Sequence, residues 1–361
     1  MTGTSDDTIT PSPAEHAVDW PGLLSKLVTG DDLSRADAAA AMAEILAGAT
    51  DPVRIAGLLV GLAAKGETVE ELTGMATAMR AAAEPLRVDD AAIDIVGTGG
   101  SAHRRAHALN VSTMASIVAA SAGALVCKHG NRKASSTSGS FDFLEALGVT
   151  IELGPRELEA CVEEIGVGFA FARAFHPAMR FAGPVRAALG IPTVFNLLGP
   201  VANPAGVRRQ VVGVASADRA ELIAGALQEL GSSSSWVVAG HGGIDELALT
   251  GTSEVWSVTP AGVDRHVVEL ADLGLAPVDP AALAGGEPAV NAALFEAVIG
   301  GERGPVRDIV VLNAAAGLVV AGVSADLAAG CAAASAAIDD GRTGDKLEQL
   351  RLTTTRLASG G

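Results

Sequence analysis

Apolar and polar positions follow two different rhythms along the chain. Over residues 17–87 the apolar residues recur at helical spacing. Ser34 and Thr68 each stand just before such a stretch, with an acidic residue three positions later, a combination that caps the free N–H groups of a helix start. This part of the chain therefore predicts a small helical domain. Residues 1–16, which are polar and contain prolines, are expected to form a disordered tail.

Beyond Arg87 the rhythm changes to short apolar runs, glycine turns and helical stretches such as 217–230 and 291–299. This alternation is typical of an α/β domain with a mostly parallel central sheet flanked by helices, which we expect over residues 88–361. Helices near 176–205 are expected to join the helical domain. The candidate strands are Ile93–Val96, Ala124–Lys128, Val167–Phe171, Pro192–Phe195, Val211–Ala215, Trp236–Ala239 and Glu254–Val258, and residues 232–235 are expected to form a loop.

The apolar stretch Ile309–Ala325 carries no charge, but it is barely long enough to span a membrane and is interrupted by glycines and polar residues. It therefore predicts a buried helix followed by a turn. The polar, acidic opening of the chain does not resemble a secretory signal. The 3 cysteines are scattered, as is typical of proteins in a reducing compartment. We therefore expect a cytoplasmic protein with no membrane partner.

The charge balance narrows the choice of partners. The chain has 25 lysines and arginines against 42 aspartates and glutamates, which gives a formal net charge of −17. Long-range attraction to nucleic acid is therefore not expected. An anionic substrate would have to be held by local basic groups or by metal ions, and four stretches of the sequence offer such groups.

The first stretch is the turn Gly97–Gly100, which follows an apolar run. It lacks the third glycine of a dinucleotide-binding fingerprint and the G-K-[ST] of a P-loop, so a tight turn explains it as well as a phosphate cradle does. The sequence Asn110-Val111-Ser112-Thr113, which opens an alanine-rich helix, favours the cradle. It brings an amide and two hydroxyls to a helix N-terminus, where free N–H groups attract anions. Capping alone would account for only one of them.

The other three stretches offer basic and acidic groups. Residues 128–140, K-H-G-N-R-K-A-S-S-T-S-G-S, combine four cationic or potentially cationic side chains with a run of hydroxyls, which favours an anion-binding loop over a merely solvated one. The segment from His176 to Arg186 holds arginines that suit a carboxylate, although their spacing alone favours surface salt bridges. Asp245 and Glu246 suit Mg²⁺, but adjacent acids are also common on surfaces. No zinc-site spacing or G-x-S-x-G motif supports a hydrolase.

Taken in order, these stretches resemble the anthranilate phosphoribosyltransferase family. The resemblance runs from about Leu23 to the C-terminus and rests on D-I-V-G-T-G-G, N-V-S-T, K-H-G-N-R, L-E-A-L-G-V, H-P-A-M-R, F-N-L-L-G-P, N-P-A and D-E-L. It implies a homodimer with a fold shared with nucleoside phosphorylases. It also implies Mg²⁺-dependent transfer of the 5-phosphoribosyl group from phosphoribosyl pyrophosphate (PRPP) to the amine of anthranilate, in tryptophan biosynthesis.

The resemblance also implies roles for single residues. PRPP would be bound by Gly97, Gly100, Ser101, Asn110, Ser112, Thr113, Lys128, His129, Gly130, Asn131, Arg132, Ser135, Ser136 and Ser140. The anthranilate path would be formed by Gly97, His129, Asn131, His176 and Arg186, with Arg186 pairing the carboxylate. Mg²⁺ would be held by Ser112, Asp245 and Glu246. Asn131, His129 and Arg186 would position the substrates, and no residue is expected to act as a nucleophile.

One loop departs from the family pattern. The family usually has G-T-G-G-D-x-x-x-T-x-N, whereas this chain has Ser101 in place of the aspartate, lacks the threonine, and adds Arg104 and Arg105. We expect this loop itself to neutralise part of the pyrophosphate charge, which would reduce the need for a second Mg²⁺. The alternative is that both arginines point to solvent, as exposed arginines commonly do.

Other functions stay open at this point. A related phosphoribosyltransferase could act on a different aromatic amine or carboxylate. Pyrimidine nucleoside phosphorylases share the fold, but their K-H-S-T-G-G type of turn is not present in this chain. A non-catalytic relative that binds nucleic acid would need a basic face and no acidic pair, whereas this chain has a net charge of −17 and retains Asp245 and Glu246.

Overall fold

The structure, a computed structural model, describes residues 18–99, 109–133 and 137–360. The tail predicted over residues 1–16 lies outside the described residues. The described part of the chain begins with α1 (Trp20–Thr29), α2 (Arg35–Leu46), α3 (Pro52–Lys65) and α4 (Val69–Ala81). Both predicted helix starts are confirmed. Ser34 Oγ accepts a hydrogen bond from Asp37 N at 3.1 Å, and Thr68 and Glu71 form a reciprocal capping box.

The strands of the α/β part form one 7-stranded sheet, in the order β3-β2-β1-β4-β5-β6-β7. Strands β1 to β5 run parallel, while β6 and β7 are antiparallel additions at one edge. The predicted α/β class with a mostly parallel sheet is therefore confirmed. The strands are β1 (Ile93–Gly97), β2 (Val126–Gly130), β3 (Val167–Phe171), β4 (Arg209–Gly213), β5 (Ser234–Gly240), β6 (Ser253–Thr259) and β7 (Gly262–Val268).

Helices connect the strands and cover both faces of the sheet. In chain order they are α5 (Val111–Ser121), α6 (Ser140–Ala146), α7 (Pro155–Ile165), α8 (Ala172–Phe175), α9 (Gly183–Leu189), α10 (Phe195–Val201), α11 (Ala217–Glu229), α12 (Pro288–Ile299), α13 (Pro305–Ala321), α14 (Leu327–Asp339) and α15 (Arg342–Ala358). Short 3₁₀ helices cover Pro177–Arg180, Leu270–Leu273 and Pro280–Leu283.

Two predictions about single elements are wrong. The apolar run Pro192–Phe195 is not a strand, because α10 begins at Phe195 and the residues before it form its entry turn. The serines at 232–235 are only partly a loop, because Ser234 and Ser235 belong to β5. In addition, β7 was not predicted from the sequence.

Alternate residues of the central strands point to two separate cores, as the pleat of a strand requires. Val211 packs with α5, α13 and the other C-terminal helices, whereas its neighbour Val212 packs with α1 to α4, α9, α10 and α11. The helices near 183–201 thus share a core with the N-terminal helices. Since both faces of the central strands are covered, these strands are largely buried.

The stretch predicted as a buried helix and a turn forms the largely buried α13, which ends before a left-handed Gly322. Within the described residues, no helix has the length and apolar character needed to cross a membrane.

Candidate active site

A large cleft opens at the carboxyl ends of β1, β2, β4 and β5, with a volume of about 1140 Å³. Parallel α/β sheets commonly bind ligands at this edge. Its walls come from the loops after these strands and from the helical region, including Ala63 and Glu67. The predicted site residues that line it are Gly97, Asn110, Ser112, Thr113, Lys128, His129, Gly130, Asn131, Arg132, Ser140, Arg186, Asp245 and Glu246. The fold thus brings four distant stretches of the sequence together.

The remaining predicted residues are His176 and several that the structure does not describe. His176 is behind the cleft wall, where its ring centroid is 5.1 Å from that of His129. Gly100, Ser101, Ser135 and Ser136 lie outside the described residues, as do Arg104 and Arg105 of the altered loop. The expectation that this loop neutralises pyrophosphate therefore stays a prediction.

Glycines at the strand ends make room for the loop that carries the acidic pair. A Cβ at Gly213 would lie 1.7 Å from the carbonyl oxygen of Asp245, and one at Gly240 would lie 2.3 Å from that of Glu246. A Cβ at Gly97 would lie 2.3 Å from Asp245 Oδ2. Because no side chain intervenes, the acidic loop rests directly on the ends of β1, β4 and β5.

The acidic pair faces the glycine turn after β1. Asp245 Oδ2 accepts a hydrogen bond from Gly99 N at 2.8 Å, and both acids are half-buried. Within the described ranges, no group of three or more His, Cys, Asp or Glu residues forms a self-sufficient metal site. The donor set therefore fits Mg²⁺ bound by few carboxylates, with the remaining ligands supplied by phosphate oxygens.

The N-terminus of α5 supplies the predicted phosphate cradle. Asn110 precedes this helix, but its side chain makes no capping hydrogen bond. Its Oδ1 accepts instead from Ser138 Oγ at 2.8 Å, which ties the cradle to the loop after β2. Thr113 Oγ1 is buried and has no hydrogen-bond partner among the described residues. The helix start thus keeps free N–H groups beside the unsatisfied Thr113 hydroxyl.

Lys128 is the buried cation of the cleft. Its Nζ donates to Ile95 O at 2.7 Å, and its residue is 2% exposed. Burial lowers the pKa of Lys128, while the charges of Asp94 and Asp245 oppose that shift. Burial also raises the pKa of Asp94 to about 6, against the influence of Lys128 and of Asn203, whose Nδ2 donates to Asp94 Oδ2 at 2.9 Å. The carboxyl groups of Asp94 and Asp245 thus favour the charged form of Lys128.

His129 and His176 are buried and uncharged, although the basic residues around them in the sequence suggest cationic groups. His129 Nδ1 lies 3.1 Å from Gly199 O, and its Nε2 is buried without a partner among the described residues. Burial, together with His176 and Lys128, lowers the pKa of His129 to about 3. Burial also lowers the pKa of His176. Both rings are therefore neutral at neutral pH.

The two predicted arginines have different surroundings. Arg186, on α9, lies with its guanidinium carbon 4.9 Å from the centroid of the Phe195 ring, and burial lowers its pKa. Arg132 is engaged by acids of α6, since its guanidinium forms ion pairs with Asp142 and Glu145. Asp142 also accepts from Lys133 N at 2.8 Å and from Gly139 N at 3.1 Å, and so fixes the loop after β2.

Sequence reasoning missed several residues of the cleft. Arg219 Nη1 lies 2.6 Å from Glu67 Oε2 and joins α11 to the α3–α4 turn at the cleft rim. Thr193 and Asn196 line the wall near Arg186. No local signal marks the ion pair, because its partners are 152 positions apart in the chain. The strand-end glycines Gly213 and Gly240 could have been found, since both follow apolar runs.

The fold and the cleft define a class of glycosyl-transferring enzymes with two parts. A family model described as the helical bundle domain of a glycosyl transferase family matches residues 21–83, and one described as the a/b domain of that family matches residues 89–344. Anthranilate phosphoribosyltransferase of Anaeromyxobacter dehalogenans (strain 2CP-C) is 47% identical over 333 residues, covering 92% of this chain and 98% of that protein. The chain therefore belongs to the anthranilate phosphoribosyltransferase family.

Further relatives agree with this assignment. The enzyme of Chloroflexus aggregans is 48% identical over 91% of this chain and 96% of its own length. A crystal structure of the Thermus thermophilus enzyme gives a TM-score of 0.86 at 44% identity, covering 92% of this chain and 99% of that one. The Saccharomyces cerevisiae enzyme in complex with PRPP and Mg gives a TM-score of 0.85 at 26% identity, covering 93% and 98%. The resemblance found in the sequence and the transferase class are confirmed.

Proposed function

We propose that this chain transfers the 5-phosphoribosyl group of PRPP to the amine of anthranilate, with Mg²⁺, and releases pyrophosphate. The observation that carries the proposal is the single cleft in which the α5 N-terminus, Lys128 and the Asp245–Glu246 pair meet. These are an anion cradle, a buried cation and a set of Mg²⁺ ligands, as transfer from a pyrophosphate ester requires.

Each group has a proposed role. Asn110, Ser112, Thr113 and Lys128 hold the phosphates of PRPP, together with the loop after β2. Asp245 and Glu246, with Ser112, hold Mg²⁺ against the pyrophosphate oxygens. Arg186 pairs the carboxylate of anthranilate, and its half-buried position in the cleft wall supports this role. Neutral His129 and Asn131 orient the acceptor.

The chemistry needs no protein nucleophile. The C1–N bond forms as the C1–O bond to pyrophosphate breaks, the leaving group keeps the electron pair, and the amine loses one proton to solvent. An aromatic amine is already unprotonated at neutral pH, so the demand falls on the departing negative charge and on the oxocarbenium-like ribose. Bound Mg²⁺ neutralises the leaving group. The chain contributes positioning and fixed dipoles in a partly water-excluded cleft.

The test is the loss of anthranilate fluorescence in the presence of PRPP and Mg²⁺. The native chain is expected to turn over, and Asp245→Ala/Glu246→Ala to lose at least about 100-fold in rate, because the metal contributes several kcal/mol of charge stabilisation. Asp89→Ala/Asp90→Ala removes an adjacent pair of exposed acids away from the cleft and should leave the rate unchanged.

Two results would count against the proposal. Full activity of the Asp245→Ala/Glu246→Ala protein would mean that the reaction does not need the acidic pair. Calorimetric binding of PRPP without turnover of anthranilate would instead point to a different aromatic acceptor.

Association into a homodimer is part of the proposal. The resemblance to the family implies it, and Val28 on α1 and Val53 on α3 are 86% and 78% exposed. The division into a helical domain over residues 17–87 and an α/β domain over 88–361, and the cytoplasmic location, stay predictions.

A further inference from the structure

Two buried asparagines stand directly behind the cleft without lining it. Asn291 lies on α12 and is 0% exposed, and Asn313 lies on α13 and is 2% exposed. Burying an amide costs free energy unless its hydrogen bonds are satisfied. Each of these two amides makes a hydrogen bond to a segment that belongs to the site.

Asn291 fixes the side chain of Asn110. Its Nδ2 donates to Asn110 Oδ1 at 2.7 Å, while its Oδ1 accepts from Gly286 N at 2.8 Å. Asn110 Oδ1 also accepts from Ser138 Oγ, and Asn110 Nδ2 donates to Ser138 O at 3.3 Å. With its oxygen held by two donors, Asn110 has one amide orientation. The α5 N-terminus and the loop after β2 are thereby tied at a single point.

Asn313 fixes the backbone of the acidic loop. Its Oδ1 accepts from Leu247 N at 3.0 Å, and its Nδ2 donates to Leu247 O at 3.0 Å. Nδ2 also donates to Ile309 O, one turn back on the same helix, at 2.9 Å. Both peptide groups that flank the Leu247 side chain are therefore clamped. The residue held in this way directly follows Asp245 and Glu246.

We propose that Asn291 and Asn313 are positioning residues, which set the PRPP cradle and the Mg²⁺-binding acids, respectively, from two successive C-terminal helices. The inference rests on the proposed roles of Asn110 and of the acidic pair. It adds that their geometry is imposed by side chains that do not line the cleft, 181 positions beyond Asn110 and 66 positions beyond Leu247.

The two roles predict separate defects. Without Asn291 Nδ2, the Asn110 amide gains freedom, so PRPP binding weakens at any Mg²⁺ concentration. Without Asn313, the acidic loop loses its backbone clamp, so more Mg²⁺ is needed to reach the same PRPP affinity. A residue that merely stabilises the fold would lower the melting temperature and leave both quantities unchanged in the folded protein.

The experiment is calorimetric titration of the full chain with PRPP over a series of Mg²⁺ concentrations, with steady-state kinetics in parallel. Asn291→Ala is expected to raise the Kd and KM for PRPP about tenfold at saturating Mg²⁺, as for a lost buried hydrogen bond, with the half-saturating Mg²⁺ concentration unchanged. Asn313→Ala is expected to raise the half-saturating Mg²⁺ concentration about tenfold, with PRPP affinity at saturating Mg²⁺ close to native.

Further variants separate hydrogen bonding from volume. Asn291→Leu keeps a similar side-chain volume but lacks the donor to Asn110, so it should reproduce the PRPP defect of Asn291→Ala. If an alanine variant does not fold, Asn291→Ser or Asn313→Ser is used for the same measurement. The control is Thr343→Val, which removes a buried 2.8 Å hydroxyl contact with Ser121 far from the cleft. It should lower the melting temperature and change neither binding parameter.

Failure of this inference is distinguishable from failure of the proposed function. Asn110→Ala and Asp245→Asn test the site assignment directly, and normal PRPP binding and Mg²⁺ dependence in those variants would overturn that assignment. If they are impaired while the Asn291 and Asn313 variants bind PRPP and respond to Mg²⁺ like native protein, the positioning proposal is wrong. It is equally wrong if both asparagine variants alter both parameters alike.

Discussion

Burial decides which side chains of the K-H-G-N-R segment carry usable charge. By sequence, Lys128, His129, Arg132 and Lys133 are four cationic or potentially cationic groups in one loop. In the structure, His129 is neutral and Arg132 is paired with the acids of α6. Residue types alone therefore predicted an anion-binding loop. The number of positive charges available to a ligand depends on burial and on the acidic residues that the fold places beside each side chain. The burial of His129 and the acids Asp142 and Glu145, which decide this, give no local signal.

The neutral His129 makes stability depend on pH. Its pKa is about 3 in the folded chain, below the 6.5 of a free histidine, so its contribution to stability is fully present above pH 6.5 and is lost as the pH falls toward 3. Between pH 6.5 and 5, native protein should lose about 2 kcal/mol more of its free energy of unfolding than His129→Asn does. Urea denaturation at both pH values measures this difference.

The control for this measurement is the exposed His241, replaced by asparagine. His241→Asn should follow the native pH dependence. Parallel losses in native and His129→Asn protein would contradict a neutral, buried imidazole at position 129.

At the scale of elements, the apolar pattern and the glycine turns were enough to predict six of the seven strands of the described sheet, because buried strands are short apolar runs. The seventh, β7, was missed because its middle residues, Asp264, Arg265 and His266, are polar. The run Pro192–Phe195 has the composition of a buried strand, yet Asn196 Oδ1 accepts from Thr193 N at 3.1 Å and starts α10. Periodicity over four residues cannot separate these outcomes.

Close packing of α2 against α4 depends on Gly74. A Cβ at this position would lie 2.3 Å from the backbone oxygen of Arg35, which cannot move without displacing α2. Gly74→Ala should therefore reduce the free energy of unfolding by about 1–3 kcal/mol, as overpacking commonly does. Chemical denaturation of the full chain is the measurement.

Gly344, in the first turns of α15, provides the matched control, because a Cβ there meets nothing within 4 Å. Gly344→Ala should stabilise the chain, by at most about 1 kcal/mol, since alanine favours helix over glycine. Destabilisation by both substitutions alike would contradict an effect specific to the α2–α4 contact.

At the scale of the whole molecule, the helical region and one face of the sheet share a single buried core. Trp20 of α1 and Trp256 of β6 belong to the same buried cluster, together with α9, α10 and α11. Near residue 87 the apolar pattern changes from helical spacing to alternating short runs and helices, and this change predicted two domains. Such a pattern reports local structure only. The shared core arises from contacts between residues far apart in the chain, which local patterns do not contain.

We therefore expect the helical region and the sheet to unfold in a single transition. Trp236→Phe/Trp256→Phe leaves Trp20 as the one tryptophan of the chain, so its fluorescence reports the helical region, while far-ultraviolet circular dichroism reports all helices and strands. Urea curves from the two signals should share one midpoint, because exposing the shared core removes the packing of both parts at once. Trp20→Phe, whose fluorescence reports the sheet, should give the same agreement with its own dichroism curve. Separate midpoints in either variant would mean that the helical region unfolds on its own and that the shared core contributes little to holding the cleft walls together.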